Sequence, residues 1–379
     1  MPDLSIVPVT TGRQQKQFVN LPWKLYADDP TWIPQLRRTT FEMAGFRNHP
    51  FYDYSQSRAF LAMRDGQPIA RLVAIINNNH NEKYEERRGF FGFFESVDDQ
   101  EAANGLFDAA RAWFAENDIQ KIRGPINPSQ NYEVGLLIDG FDDPPWFMMT
   151  YNPPYYERLI EEYGFRKTQD AYAFWGNMEM FHKLDRKLFD LVDEVRKRTN
   201  ITVRRVDKKR FKEDVRTFLR VYNESLISTW GYVPLSEREV EHGARELGRL
   251  IAPELTSIAE DEGRAIGSCF GMLDYNPRIK KINGRLFPFG FLRLLFNKRG
   301  IKRFRAISTN VVPAYQKWGV SLLLLNRLID DSMKWGIEEC EFSWVLESNH
   351  LSRKSLQRGG AKCTKTYRIY DYAAAEDAE

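Results

Sequence analysis

Val311-Val312-Pro-Ala-Tyr-Gln316-Lys317-Trp318-Gly319-Val320-Ser321 sets an amide, a cation, a glycine and a small hydroxyl between a strand-like stretch and an amphipathic one. A strand that enters a tight turn and leaves as a helix presents the unpaired amides of the first helical turn to whatever lies in front of them. Gly319 lets that ligand approach the backbone closely. Lys317 adds a point charge, and Ser321 is small enough to leave the helix start open. The chemistry on offer is anion binding, and a pyrophosphate fits it. A second group follows at Glu347-Ser-Asn349-His350, where a carboxylate and an imidazole flank an asparagine and are candidates for proton transfer.

The elements that must position these residues are read from periodicity. Around the turn, the spacing predicts strands at 202–206, 254–260, 264–274 and 303–312. Helical signal covers 208–224, 236–250 and 320–335, followed by a strand at 338–346, a short helix at 350–358 and a last strand at 364–372. The first half predicts the same order. It has a strand at 5–8, a helix at 13–26, strands at 59–64, 68–77 and 90–96, and a helix at 100–116. A strand at 120–124, a helix at 154–163 and a strand pair over 166–175 complete it. Locally, Asn152-Pro-Pro-Tyr-Tyr-Glu-Arg-Leu-Ile-Glu-Glu-Tyr-Gly164 lines up with Asn349-His-Leu-Ser-Arg-Lys-Ser-Leu-Gln-Arg-Gly-Gly360. The chain reads as two diverged copies of one α/β fold with a mixed sheet. The first copy occupies 1–180, a linking helix 181–200, the second copy 201–372, and a disordered tail 373–379.

V-x-P-x-x-Q-x-x-G-x-S is similar to the Q/R-x-x-G-x-G/A signature of the GNAT acyltransferases, with Ser321 where Gly or Ala is usual. The resemblance implies that backbone amides of 311–321 bind the pyrophosphate of an acyl-CoA co-substrate. Val311, Val312, Gln316, Lys317, Trp318, Gly319, Val320 and Ser321 are then the donor-binding residues. Pantetheine is expected between the strands on either side of the helix, with Asn349 at the end of the second. In the first copy the corresponding turn carries Asp98, Asp99 and Glu101, which would repel a pyrophosphate. That copy is expected to be non-catalytic, its acids serving as N-terminal helix charges. Asn127, Asn131 and Tyr151 lie in a loop whose turn formers account for most of its amides.

Attack of an amine on a thioester needs a deprotonated amine and a polarised carbonyl. Glu347 and His350 are the candidate bases, each with a plainer role as an ion-pair partner or a helix start, and a relay to Asp274 is the alternative. Family members often place a Tyr seven residues beyond the Asn; here Leu356 stands there. Tandem duplication, the Glu-Ser-Asn segment and the Gly-Gly ending resemble the bacterial ceramide synthases. This implies a lipid-like amine acceptor, a sphingoid base, and a fatty-acyl donor. A small-amine or peptide N-acetyltransferase, a non-catalytic CoA- or lipid-binding protein, and an aminoacyl-tRNA-dependent transferase stay open beside it.

Composition agrees with two globular cores: 379 residues, 42% hydrophobic, 14% aromatic and 28% charged. The net charge of +3 gives no reason to expect nucleic acid, but 275–329 contains no Asp or Glu and should attract an anion. Within it, 286–305 joins apolar bulk to a basic cluster. That composition suits either contact with an anionic membrane surface or a helix packed between the domains. Three cysteines without paired spacing predict a reducing cytoplasm and no metal site.

Overall fold

A computed structural model describes residues 3–182 and 186–373. The tail expected at 373–379 lies, from residue 374 onward, outside the described residues, as does part of the linking segment. In chain order the first half contains β1 (Leu4–Pro8), α1 (Gly12–Asn20), α2 (Pro22–Leu25), α3 (Arg37–Met43), β2 (Ser55–Arg64), β3 (Gln67–Asn77), α4 (Asn78–Tyr84), β4 (Arg88–Ser96) and α5 (Gln100–Ala115). It continues with β5 (Lys121–Gly124), β6 (Ile126–Asn127), β7 (Glu133–Val134), β8 (Leu136–Asp139), α6 (Tyr155–Tyr163) and β9 (Arg166–Asn177). Then follow α7 (Met178–His182), α8 (Arg186–Arg198), β10 (Thr202–Arg205), α9 (Phe211–Ser225), α10 (Glu237–Leu247), β11 (Thr256–Asp261), β12 (Arg264–Leu273), α11 (Asn276–Lys281) and α12 (Gly290–Leu295). The chain ends with β13 (Arg303–Val311), α13 (Val320–Trp335), β14 (Glu339–Leu346), α14 (His350–Arg358) and β15 (Lys362–Tyr372). The mixed α/β reading holds. The single helix expected over 13–26 is two, because Pro22 cannot continue the hydrogen bonding of α1 and instead begins α2.

Packing groups the chain into two compact units that are discontinuous in sequence. The first comprises 1–171, 277–288 and 365–379, the second 172–276 and 289–364. The first packing boundary falls between 171 and 172, within β9, and most of the last strand packs with the first unit.

In the first unit, β1 to β5 pair in sequence order, antiparallel except for the parallel β4–β5 step. The C-terminal part of β15 adds beside β5, with Tyr370 opposite Gly124. One face buries Phe91, Phe94, Leu106, Phe107, Trp113, Phe114, Tyr156 and Phe165 beneath α5 and α6. The segment 277–288 docks here as well. Trp23 Nε1 donates to Asn283 Oδ1 at 2.6 Å, Arg37 donates to the Asn283 carbonyl at 2.6 Å, and Lys280 donates to the Pro30 carbonyl.

In the second unit, β10, β11, β12 and β13 pair antiparallel and β14 runs parallel to β13, with the end of β9 beside β14. The helix α13 lies against β11, β12 and β13 through Val320, Leu323, Leu324 and Leu328, and α9 lies against β12 and β13. Such a sheet is half covered by each helix layer, which explains the buried pattern of β12. Met180, Leu356 and Tyr172 close a small cluster around Phe174, Val345 and Ala361. Leu356 is therefore a packing residue.

Candidate active site

Gly319 is the N-cap of α13 and sits at φ 80° and ψ 12°, a left-handed conformation that only glycine adopts at low cost. The Leu322 and Leu323 amides turn back to its carbonyl, so Val320 and Ser321 occupy the first helical turn, where an amide has no intrahelical acceptor. Gln316 Nε2 donates to the Val311 carbonyl at 3.3 Å and fastens the loop to the end of β13. Val311, Val312 and Val320 are buried beneath the turn, while Lys317 and Trp318 are exposed on it. The eight turn residues singled out in the sequence are thus brought together around one helix entrance.

The parallel pairing of β13 with β14 runs from Arg303–Glu339 to Ala306–Phe342 and stops there. At the same level β12 pairs with β13 through a bulge between Phe270 and Gly271, with Ser308 and Ala306 opposite them and Ile307 between. A bulge bends a strand away from its neighbour. The parted strands and the αL-capped helix offer a slot for an extended thioester arm and a cradle for its pyrophosphate, so the residues present fit the co-substrate that the resemblance implies.

The linking helix α8 was not expected at the cradle. A Cβ built on Gly319 would stand 2.5 Å from Val195 Cγ2, and Val192 and Val195 are buried against α13. The last turn of α8 carries Arg196, Lys197 and Arg198, cations at the helix end where the dipole favours them.

At the outer end of β14, Asn349 caps α14 by accepting from the Ser352 amide at 3.1 Å, and His350 begins that helix exposed to solvent. Glu347 is half-buried, and its carbonyl accepts from Arg353 at 2.9 Å. Asp274 pairs with Arg303 at 3.6 Å and accepts from the Asn276 amide at 3.2 Å, which makes it a turn-forming carboxylate. Much of the basic charge of 275–329 is also committed inside the second unit. Arg303 meets Glu339 at 3.3 Å, Arg327 meets Asp331 at 3.3 Å, and Arg299 meets Glu254 at 3.2 Å.

Sequence reasoning missed a buried network at the fork of the two parallel strands. Arg305 Nε donates to Ser343 Oγ at 2.8 Å, an Arg305 Nη donates to the Ser343 carbonyl at 3.0 Å, and Ser343 Oγ donates to Glu341 Oε1 at 2.6 Å. The Arg305 guanidinium also lies 4.6 Å from the Trp344 ring. Its charge reaches Tyr222 on α9, whose phenol burial pushes up to about 12 while Arg305 opposes the rise.

The first unit closes the equivalent features. Asp99 caps α5 and pairs with Arg64, Glu101 meets the same arginine at 2.7 Å, and Asp98 pairs with Arg158. Asn127 Oδ1 accepts from the Phe93 amide at 2.6 Å, and the Tyr156 hydroxyl accepts from the Ser96 amide at 2.8 Å. A Cβ on Gly92 would stand 2.1 Å from the Ile126 carbonyl. Side chains and β6 therefore hold the β4 amides that parted strands would leave for a ligand. The Tyr151 hydroxyl is likewise occupied, donating to Asp29 at 2.7 Å, and the Asn131 backbone amide donates to Ser129 Oγ at 3.3 Å within a turn.

No family model matches the chain. Among curated proteins it is 34% identical over 362 residues to Protein YghO of Escherichia coli, spanning 94% of this chain and 92% of that one. It is 32% identical over 384 residues to the bacterial ceramide synthase of Caulobacter vibrioides, spanning 98% of each. Among solved structures, a tandem GNAT protein from the clavulanic acid biosynthesis pathway superposes with a TM-score of 0.56 at 9% identity over 98% of both chains. The GCN5-related N-acetyltransferase from Sphaerobacter thermophilus gives 0.54 at 14% identity, over 98% of this chain and 96% of that one. With this fold and near-full-length similarity, the chain belongs to the tandem GNAT-fold acyl-CoA N-acyltransferases, in the family that includes the bacterial ceramide synthase.

Proposed function

We propose that the protein moves a long fatty-acyl group from acyl-CoA to the amine of a sphingoid base, giving an N-acyl product of the ceramide type. The observation that carries this reading is the 32% identity to the Caulobacter bacterial ceramide synthase across 98% of both chains. The donor is held by the 311–321 turn of the second unit, with Asn349 at the end of β14. Glu347 and His350 are candidate proton acceptors for an amine entering from solvent. Incubating the full chain with palmitoyl-CoA and sphinganine should release CoA thiol and yield the N-palmitoyl product by mass spectrometry, with acetyl-CoA a much poorer donor. Preference for acetyl-CoA, or tight acyl-CoA binding with no thiol release, would overturn the assignment.

A lipid acceptor has to be collected from a membrane, and we place the protein in the cytoplasm, in contact with the inner membrane face through 286–305. No described helix is long and apolar enough to cross a membrane. Support for surface contact comes from Phe289 (73% exposed), Leu292 (51%) and Phe296 (80%) on and beside α12, in a segment that also carries Arg293 and Lys298. Apolar side chains beside cations suit an anionic lipid surface. Each buried Phe contributes about 1.5–3 kcal/mol. The double variant Phe289→Ser, Phe296→Ser should bind vesicles containing anionic phospholipid about 100-fold more weakly, with thiol release from soluble short-chain amines intact. Undiminished sedimentation with vesicles would remove this segment from the membrane contact.

A further inference from the structure

The geometry points to Glu341 as an internal proton acceptor for the amine, reached through the Ser343 hydroxyl and held in place by Arg305. This deepens the acyltransferase reading and rests on it. Ser343 is the first β14 residue beyond the last pair of the β13–β14 ladder, so it stands at the fork where a thioester arm entering between the strands would end. Glu341 is 0%, Arg305 1% and Ser343 3% exposed. Burying a guanidinium and a carboxylate costs several kcal/mol per ion in desolvation, and apolar residues of similar volume often serve stability as well or better. Three polar residues held in one chain of 2.8 Å and 2.6 Å bonds at the one point where the strands part therefore ask for a function.

The setting supplies the need. An aliphatic amine is an ammonium ion at neutral pH, and its first proton must pass to an acceptor at the fork before nitrogen can attack. Ser343 Oγ takes that proton as its own passes to Glu341 Oε1, so the carboxylate becomes a carboxylic acid. The neutral amine then attacks the thioester carbonyl, forming the C–N bond. The second nitrogen proton leaves with the sulfur as the C–S bond breaks, giving amide and CoA thiol, and Glu341 later returns its proton to solvent. Arg305, bonded to both the hydroxyl and the carbonyl of Ser343, is a positioning residue that fixes the hydroxyl toward Glu341. The face it occupies is that of α9, the opposite layer from α13, which leaves the donor cradle and the proton path on separate sides of the sheet. Titratable groups beside the network include Tyr222 from α9, which feels Arg305, and the buried Cys340 thiol of β14, which feels Glu341; the Trp344 ring lies against the Arg305 guanidinium.

The test compares Glu341→Gln and Ser343→Ala with wild type in the full chain, using palmitoyl-CoA and sphinganine. Both variants should keep acyl-CoA affinity while kcat for the amine falls about 100-fold at neutral pH, and Glu341→Gln should also lower the melting temperature, because it leaves the buried Arg305 guanidinium without a carboxylate. The distinguishing signature is the pH profile. Wild-type kcat should level off at neutral pH, whereas Glu341→Gln should climb about tenfold per pH unit toward the amine pKa, because only amine deprotonated in solution then reacts. Two results would overturn the relay: wild-type rate and profile in both variants, or the rising profile in Glu347→Gln or His350→Ala but not in Glu341→Gln. Parallel loss of acyl-CoA binding would also overturn it, by showing that the network only shapes the fork. Should Glu341→Gln fail to fold, Ser343→Ala decides alone. A wild-type enzyme inert toward the amine would sink the acyltransferase assignment instead, so the two failures are distinguishable.

Discussion

Ser321→Glu should weaken palmitoyl-CoA binding about 10³-fold and leave the melting temperature unchanged. The substituted position is in the first turn of α13, where a carboxylate is favoured by the helix dipole, so the folded chain has no reason to object. The same carboxylate faces whatever anion sits at the helix entrance. Two unit charges about 4 Å apart at an effective dielectric near 20 repel by about 4 kcal/mol, which is about three orders of magnitude in affinity. Gly319 is the more obvious target and the poorer one. Its φ of 80° and the 2.5 Å approach of Val195 Cγ2 to a built Cβ mean that any side chain there strains the turn and pushes on α8, so lost binding would not separate a damaged site from a damaged fold. Isothermal titration with palmitoyl-CoA and a thermal scan on the same sample check the prediction. Undiminished affinity would move the pyrophosphate away from this turn.

The geometry of the 311–321 turn is legible in the sequence because its signals are local. An αL glycine, a strand ending at Val311 and a helix with Leu323, Leu324 and Leu328 at helical spacing all lie within a short stretch, and each was read in place. The acidic counterpart was also legible in sign, although the arginines that neutralise it, Arg64 and Arg158, come from β2 and α6 and carry no sequence mark of that role. The missed features are long-range. Charged residues dominate α8, and its two buried valines do not announce which helix they meet. Glu341 alternates with Cys340 and Phe342 as a solvent-facing strand residue would. Only its register opposite Arg305, set by a parallel ladder across α13, turns it into a buried group. A hint was present: oppositely charged residues fall in the third positions of the two strands that flank one helix, Arg305 in β13 and Glu341 in β14.

In the first unit, Arg71→Met should lower stability by about 3–5 kcal/mol at neutral pH, because it strips a nearly buried carboxylate of its cation. Arg71 is 1% exposed and donates to the Phe18 carbonyl at 2.7 Å and to Glu95 Oε1 at 3.4 Å. Glu95, 14% exposed, also accepts from Tyr26 at 2.6 Å and from Tyr156 at 2.9 Å. Burial raises the Glu95 pKa, and Arg71 with the two hydroxyls opposes the rise. A carboxylate whose folded pKa lies above its unfolded value contributes stability at low pH and loses that contribution as pH climbs through the folded pKa. Removing Arg71 raises the folded pKa further. The deficit of the variant should therefore be small where Glu95 is protonated in both proteins, and grow as pH passes the wild-type folded pKa toward neutrality. Urea midpoints at acid and neutral pH, followed through the first unfolding transition, measure it. The partner change Glu95→Gln in the Arg71→Met background should recover most of the loss and abolish its pH dependence, since the amide fills the same space without a charge. A deficit equal at both pH values, or one that Glu95→Gln leaves untouched, would mean that Arg71 acts through packing on Phe18, whose ring lies 4.8 Å from its guanidinium, and not through the carboxylate.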